Sequence, residues 1–248
     1  MELQELFKKK VFSFPKPVEL IRRFTCTTTE EKSLVLDFFS GTSPTAHAVL
    51  DLNKEDNGKR KFIMVQLPEP CDEHSEAHKA GYKTIAEIGK ERIRRAAAKI
   101  KKEHPEYQGD LGFKVFKLDS TNIKPWDANY DTLEDDLLSS VESLKPDRSA
   151  EDILHEILLK YGMDLTLPVT EHRISGKTVF EVNSGELLVC LEDGISLEVA
   201  EGIGALAKKL SPEIVRVVFK DSGFADDIVK TNTMQVLKQF GIDDVKSI

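Results

Sequence analysis

The 248-residue chain is 40% hydrophobic and 7% aromatic, which is enough apolar material for one large core or two modest ones. Its formal net charge of −8 and pI near 5.4 exclude the strongly basic surface of an autonomous DNA-binding protein. No apolar run approaches the roughly 20 residues of a membrane span, and the N-terminus lacks the apolar stretch of a signal peptide. Three scattered cysteines form neither a disulfide framework nor a CxxC metal site. We therefore expect a folded, cytoplasmic protein with no membrane partner.

The charge is divided unevenly along the chain. Residues 1–110 contain 20 Lys and Arg against 18 Asp and Glu, whereas residues 111–248 contain 15 against 25. A change of composition in mid-chain is typical of two domains. The sequence predicts a first domain at 1–128 and a second at 129–248.

The first domain is predicted to alternate helices and strands. Continuous apolar runs at 33–39 and 61–69 are typical of strands covered on both faces in a parallel sheet, and the segment between them predicts a βαβ unit. The predicted elements in chain order are an extended piece or strand (11–17), a helix (18–28), a strand (33–39), a helix (44–55), a strand (61–69), a helix (85–103) and a strand (112–119).

The helix after the capping box Thr84–Glu87 is predicted to have one apolar and one basic face. Because acidic residues dilute the basic face and no aromatic residues interrupt it, a solvated surface is favoured over a nucleic-acid or partner contact. The basic face consists of Lys90, Arg92, Arg94, Arg95, Lys99, Lys101 and Lys102.

The second domain is predicted to be a smaller α/β unit. Its elements are a partly helical acidic stretch (131–142), a helix begun by Ser149, a hairpin (178–182 and 187–192), a helix (196–210), a strand (213–219) and a last helix ending near Gly241.

The stretch "DFFSGTSPTAHAV" (37–49) places a glycine turn between a strand and a helix. This order brings a ligand to the carboxyl edge of a doubly wound sheet, where backbone N–H groups can bind it. One glycine, Gly41, leaves an ordinary tight turn equally open.

Several stretches of the chain closely resemble, in order, the C-terminal part of the modification (Mod) subunit of type III restriction-modification systems. They are "FPKPVELIRR", "LVLDFFSGTSPTAHAVLDLNKED", "RKFIMVQLPEP", "AGYKTIAEIGKERIRRA", "GFKVFKLDSTNIKPWD", "EILLKYGMDLTLPV" and "FKDSGFADDIVKTNTMQVLKQFGIDDVKSI". The family consists of adenine-specific DNA methyltransferases of the beta arrangement. The resemblance implies a partial Rossmann-like methyltransferase sheet, S-adenosylmethionine as methyl donor, and the restriction subunit as a partner.

The family's Asp-Pro-Pro-Tyr motif does not occur in this sequence, which contains no Pro-Pro pair. In the family, this motif binds the flipped adenine, so the resemblance implies a cofactor-binding part with no catalytic residue of its own. DNA would then be bound only with the help of other polypeptide. Trp126 and Tyr130 are the nearest aromatic candidates for stacking, but packing is the favoured role.

The resemblance also assigns cofactor residues by position. Lys16 and Pro17 would flank the methionine end, the strand end and turn would form the floor of the pocket, and Gln66 would accept one ribose hydrogen bond. For Gln66 and Asn122, an ordinary strand-end or turn role remains equally open. The full set is Lys16, Pro17, Asp37, Phe38, Phe39, Gly41, Thr42, Gln66, Asp119 and Asn122.

The chain departs from the family at the turn, where relatives usually have a second glycine in place of Ser43. Ser43 and Pro44 make a good helix start, with Ser43 as N-cap and Pro44 as the first helical residue. If the turn requires a positive φ, however, Ser43 costs about 1–2 kcal/mol and brings a Cβ toward the ligand. We therefore expect weakened cofactor binding.

Two other clusters are candidate sites. Cys71, His74 and His78 have spacings that a metal site could use, but a chance cluster in an acidic loop is favoured, so no metal is predicted. The acids and Lys230 of "DSGFADDIVKTN" either pair within the domain or bind the nuclease subunit.

Three functions stay open from the sequence. The first is part of a type III modification methyltransferase that is inactive alone, the second is a binding or assembly module that has lost S-adenosylmethionine, and the third is a complete small-molecule methyltransferase. Under the first, the strand at 33–39 would have a bare apolar edge. A second copy of the chain, its N-terminal residues or another polypeptide would cover that edge.

Overall fold

The structure, a computed structural model, describes residues 2–124 and 143–248. The chain divides into two compact units, Met1–Lys114 and Val115–Ile248. The predicted boundary at 128/129, the acidic stretch 131–142, Trp126 and Tyr130 lie outside the described residues. Within the described ranges, none of the helices has the length and apolar character needed to cross a membrane.

The first unit contains five helices and two strands among its described residues. In chain order these are α1 (Glu2–Phe7), α2 (Val18–Thr28), β1 (Leu34–Asp37), α3 (Pro44–Asp56), β2 (Lys61–Met64), α4 (Glu76–Lys79) and α5 (Ile85–Glu103). Strands β1 and β2 are parallel, with Leu34 opposite Lys61 and Asp37 opposite Met64. The predicted βαβ unit, β1-α3-β2, is therefore confirmed, and so are the three long helices predicted for this domain, α2, α3 and α5.

The two-stranded sheet of the first unit is covered on one face. Phe62 and Met64 pack against Leu50 of α3 and against Ile93 and Ala96 of α5. The opposite face carries the exposed Lys61, opposite Leu34, and five apolar side chains that are between 46% and 65% exposed: Leu34, Leu36, Ile63, Val65 and Leu67. We call these five residues the open sheet face. The predicted cover on both faces is thus present on only one face in the described part of the chain.

One predicted strand of the first domain is not a strand in the structure. Residues 112–119 form no strand although their sequence is rich in apolar residues, and residues 11–17, predicted as an extended piece or a strand, also form no strand. A strand requires a neighbour for its backbone hydrogen bonds, and the sheet order in this unit is β1-β2 alone among the described residues. Instead, Phe113 packs beside α5, and Leu118 is 99% exposed.

Helix α2 packs on α3 through a face that differs in part from the predicted one. The sequence predicts an apolar side of Val18, Leu20, Ile21 and Phe24. Val18 is buried as predicted, whereas Leu20 and Phe24 are exposed and Thr25 is buried. The Thr25 hydroxyl donates to the carbonyl of Ile21 within the helix. Because this hydrogen bond satisfies the hydroxyl, a threonine can occupy the buried face at low cost.

The second unit is built on one five-stranded sheet. Its helices and strands are α6 (Ala150–Lys160), β3 (Val169–Ile174), β4 (Lys177–Val182), β5 (Leu187–Cys190), α7 (Leu197–Leu210), β6 (Arg216–Phe219), α8 (Asp227–Gln239) and β7 (Asp244–Ser247). The strand order is β3-β4-β5-β6-β7, antiparallel from β3 to β5 and parallel from β5 to β7. The predicted hairpin, helices and strand are confirmed, and β3 and β7 were not predicted.

Helices cover both faces of this second sheet. Leu154 and Leu158 of α6 pack against Phe180 and Val182 on one face. The other face packs against α7 and α8, where Ile203 and Leu237 are fully buried, as part of a cluster with Val179, Leu188, Cys190, Val217 and Phe219. A mixed sheet between two helical layers is an α/β fold, as predicted for this part of the chain.

Adjacent leucines of α6 provide a test of this packing. Leu158 is fully buried, and its neighbour Leu159 is 64% exposed. We predict that Leu158→Ala lowers the free energy of unfolding by roughly 2–5 kcal/mol, because it removes buried methyl groups and leaves a cavity. The control Leu159→Ala changes the same atoms on the surface, and we expect an effect within about 0.5 kcal/mol. Urea unfolding followed by circular dichroism measures both; equal losses would contradict the packing of α6.

Candidate functional site

The turn between β1 and α3 has an unusual backbone. Gly41 has φ +52°, and Ser43 has φ +55° and ψ +47°, in the left-handed region. Ser43 is the N-cap of α3 and Pro44 its first residue, as predicted, but the Ser43 side chain makes no capping hydrogen bond. A residue before proline favours the extended region, so the turn holds Ser43 in a costly conformation.

Side chains from both strands fix this turn by hydrogen bonds. The Gly41 N–H donates to Gln66 Oε1 at 2.7 Å, just beyond β2. Asp37, at the end of β1, accepts from the Thr45 hydroxyl at 2.5 Å and from the Phe39 N–H at 3.2 Å. Four of the predicted cofactor residues, Asp37, Phe39, Gly41 and Gln66, therefore belong to one hydrogen-bonded group at the carboxyl edge of the sheet.

The Ser43 side chain lies against helix α5. Ser43 is 5% exposed, and its Oγ lies 2.7 Å from the position that a Cβ on Gly89 would occupy. The carbonyl oxygen of Gly41 lies 3.3 Å from the same position. The Ser43 side chain is thus accommodated by the missing side chain of Gly89. That its Cβ also approaches the ligand stays a prediction, and the expected cost of its positive φ is present in the turn.

Arg92 of α5 is buried beneath the turn, with 1% of its surface exposed. Its Nη1 donates to Thr42 Oγ1 at 3.1 Å and to the Thr42 carbonyl at 3.4 Å, and its Nε lies 3.5 Å from Nδ1 of His47. The prediction that Arg92 belongs to a solvated basic face was therefore wrong. The signal was present in the sequence, because Arg92 lies four residues from both Ile88 and Ala96, on the apolar stripe of the helix.

His47 is a neutral partner of this arginine at pH 7. Burial, together with the charges of Arg92 and Lys99, lowers the pKa of His47 to about 4. Asp51 lies 3.5 Å from the His47 Nε2, yet the pKa of His47 is still lowered by burial and by the two cations. A neutral imidazole can accept a hydrogen bond at Nδ1, which a protonated imidazole cannot do.

The turn has features that fit a polar, carboxylate-bearing cofactor such as S-adenosylmethionine. The Ser40 hydroxyl is buried and has no hydrogen-bond partner among the described residues. The first N–H groups of α3 have no acceptor within their own helix, which favours an anionic group there. Phe38 and Phe39 are 63% and 81% exposed, with ring centroids 5.1 Å apart, and so provide apolar surface beside these donors.

Lys16 and Pro17 lie exposed at the start of α2. Pro17 is the N-cap of this helix, with extended backbone angles. Neither residue is part of the hydrogen-bonded group around Gly41 within the described residues. Their contact with the methionine end of a cofactor stays a prediction.

Asp119 and Asn122 have partners inside the second unit. A hydrogen bond from Arg148 lowers the pKa of Asp119 to about 2. The Asn122 N–H donates to Glu156, and its side-chain amide donates to the Asp152 carbonyl. These bonds fasten the segment before the second unit's sheet to α6, and a cofactor role for either residue stays a prediction.

Two clusters singled out in the sequence remain, the segment with Cys71, His74 and His78 and the C-terminal signature. Among the described residues, no three His, Cys, Asp or Glu side chains lie close enough to hold a metal ion. In the C-terminal signature, Lys230 pairs with Asp221 at 2.5 Å, and Asp226 caps α8 by accepting from the Val229 N–H. Pairing within the domain is therefore observed for both residues.

The strain at Ser43 leads to a prediction. Ser43→Gly removes a left-handed cost of about 1–2 kcal/mol, partly offset by the greater freedom of glycine in the unfolded chain. We expect a gain of roughly 0.5–1 kcal/mol in the free energy of unfolding, measured by thermal and urea denaturation. The control Ser196→Gly changes a helix N-cap with φ −115°, where no gain is expected. A loss at Ser43, or equal effects at both serines, would contradict the strained turn.

Comparison with known proteins places this site in a family context. Residues 2–99 match the DNA methylase family. The chain is 44% identical over 117 residues to the StyLTI Mod subunit of Salmonella typhimurium, a type III restriction-modification enzyme, covering 47% of this chain and 18% of that protein.

Two further type III Mod subunits match longer stretches. The EcoP15I Mod subunit of Escherichia coli is 33% identical over 177 residues, covering 71% of this chain and 26% of that protein. The EcoPI Mod subunit of Escherichia phage P1 is 32% identical over 218 residues, covering 86% of this chain and 32% of that protein. The chain thus spans less than a third of the length of each of these relatives. The chain belongs with the Mod subunits of type III restriction-modification enzymes, within the DNA methylase family.

Proposed function

We propose that this chain is the cofactor-binding and assembly part of an adenine-specific DNA methyltransferase of a type III restriction-modification system, with S-adenosylmethionine as methyl donor. The named relatives and the turn after β1 support this proposal. The first unit would bind the cofactor through the turn, and the second unit would make assembly contacts. DNA and a restriction subunit would be the partners of the assembled enzyme.

The open sheet face is the observation that carries the proposal. Leu34, Leu36 and Ile63 lie on the paired strands β1 and β2, and Val65 and Leu67 follow on the segment directly after β2. Burying one such side chain contributes about 1.5–3 kcal/mol, so a face of five favours a cover of apolar protein. Phe38, which is 63% exposed, extends this apolar surface to the turn itself. The cover would be the catalytic part of the enzyme.

A cofactor-binding part needs this cover in order to act on DNA. The amino group of adenine is a poor nucleophile, and enzymes that modify a base bind it flipped out of the duplex. The sequence contains no Asp-Pro-Pro-Tyr motif to receive such a base. The proposal therefore implies that the chain alone transfers no methyl group to DNA and that the covering polypeptide supplies the acceptor site.

A second candidate function is an assembly module that no longer binds S-adenosylmethionine. The observation in its favour is the turn itself, where Ser43 has a positive φ and Pro44 removes one N–H from the helix start. The orientation of the Ser43 side chain toward Gly89 favours retained binding, because that side chain leaves the ligand side of the turn free. A direct titration with the cofactor separates the two functions.

Isothermal titration with S-adenosylmethionine tests cofactor binding. We expect saturable binding by the wild type and roughly two- to tenfold weaker binding by Gln66→Ala, because that variant loses the hydrogen bond that orients the Gly41 N–H. The control Gln108→Ala removes an exposed amide bonded to the Glu106 carbonyl and should bind like the wild type. Absence of binding by the wild type would reject the first function and favour the assembly module.

The open sheet face is tested by complementation. We expect tritiated methyl transfer to duplex DNA only when the chain is mixed with the remaining N-terminal part of the EcoPI Mod subunit. Leu36→Lys places a charge on the face, where Leu36 is 58% exposed, and should reduce this activity at least tenfold without changing the thermal midpoint.

The matched control for this charge is Leu159→Lys, at a leucine of the second unit that is 64% exposed. The control should keep wild-type activity in the mixture. Methylation by the chain alone, or full activity of Leu36→Lys in the mixture, would contradict the role given to the open sheet face.

A further inference from the structure

Helix α5 contacts the turn through two residues one helical turn apart. Gly89 gives space to the Ser43 hydroxyl and approaches the Gly41 carbonyl, as the 2.7 Å and 3.3 Å distances from its virtual Cβ show. Arg92 then reaches the peptide group on the other side of the same turn. This helix thus provides a third support of the turn, in addition to the two strands.

The peptide group between Thr42 and Ser43 is bound at both of its ends. Arg92 donates to the Thr42 carbonyl at 3.4 Å, and the Ser43 N–H donates to the Ser40 carbonyl at 2.7 Å. Rotation of this peptide plane is the simplest way to release Ser43 from its positive φ. Such a rotation would break both hydrogen bonds, and buried groups without partners are costly.

We propose that Arg92 is a positioning residue, which holds the peptide between Thr42 and Ser43 in the orientation that the cofactor turn requires. The link to the cofactor rests on the proposed function. The orientation of the peptide follows from the hydrogen bonds of Thr42 and Ser43 alone. Arg92 fixes the turn from behind and so sets where the first N–H groups of α3 point. The proposed role requires no contact of Arg92 with the cofactor or with the methyl acceptor.

An arginine suits this position for geometric reasons. Its planar guanidinium donates to Thr42 through Nη1 and lies near His47 through Nε, so one side chain connects the turn with α3. A lysine has a single terminal nitrogen, so it cannot direct one N–H group toward Thr42 and another toward His47 from a rigid planar group. His47, with a free acceptor nitrogen when neutral, completes the arrangement.

The test compares Arg92→Met and Arg92→Lys with Arg95→Met. Arg95 lies on the same helix, but it donates to Glu91 and to the Leu6 carbonyl, away from the turn. Amide hydrogen exchange by NMR gives the protection of the Gly41 and Ser43 N–H groups, with β1 and the middle of α5 as internal reference. Cofactor affinity is measured in parallel by titration with S-adenosylmethionine.

In Arg92→Met, we expect the amide protons of Gly41 and Ser43 to exchange roughly tenfold faster relative to the internal reference. We also expect this variant to bind the cofactor roughly tenfold more weakly. Arg92→Lys should restore neither property, and Arg95→Met should change neither. These results would distinguish a positioning role from a contribution to stability alone, since a stability effect would accelerate the reference amides equally.

Unchanged relative exchange at the turn in Arg92→Met would overturn the inference. If that variant does not fold, Thr42→Val provides the test, because it removes only the hydroxyl that accepts from Arg92. We expect a roughly threefold faster relative exchange at the turn, and no change would again overturn the inference. If the wild type binds no cofactor, the proposed function fails, while the exchange data still decide the role of Arg92.

Discussion

The turn between β1 and α3 depends on hydrogen bonds that reach it from three sides. Asp37 binds it from β1, Gln66 from the end of β2, and Arg92 from α5. Each support comes from a different element, so the turn can keep its orientation only when strand pairing and helix packing are both in place. The proposed cofactor site thus lies at a turn that the local backbone alone would not hold, because Ser43 would relax to a less costly conformation.

Much of the architecture follows from local patterns in the sequence. Helices α5, α6 and α8 begin at residues whose side chains cap them, with reciprocal capping boxes at Thr84 and Ser149, and the apolar runs of β1, β2 and β5 are read directly as strands. Strands β3 and β7 carry charged residues and form the two edges of their sheet, which removes the apolar signal. Residues 112–119 have a strand-like sequence, but no strand pairs with them in the described structure.

The site was predictable where one residue acts through its own chemistry, and unpredictable where two distant residues act together. Gly41 follows from the strand-turn-helix order, and Gln66 follows from the position-by-position resemblance to the Mod family. The fit between Ser43 and Gly89 joins residues 46 positions apart, and the buried contact of Arg92 with Thr42 joins residues 50 positions apart. Such pairs depend on how α5 packs across the turn. They cannot be identified from the pattern of basic residues along this helix alone.

The open sheet face connects the sequence pattern with the proposed assembly. Strands read as apolar on both faces because both sets of alternating side chains are apolar, and α3 and α5 cover only the set that includes Phe62 and Met64. A polar surface on Leu36 and Ile63 would serve a protein whose face stays in water. The apolar residues at these positions fit the covering layer of the proposed assembly, which would lie beside the same turn that Arg92 contacts. In the proposed assembly, the turn and the covering polypeptide would therefore form one site. This chain would bind the methyl donor, and the covering polypeptide would bind the adenine that accepts the methyl group.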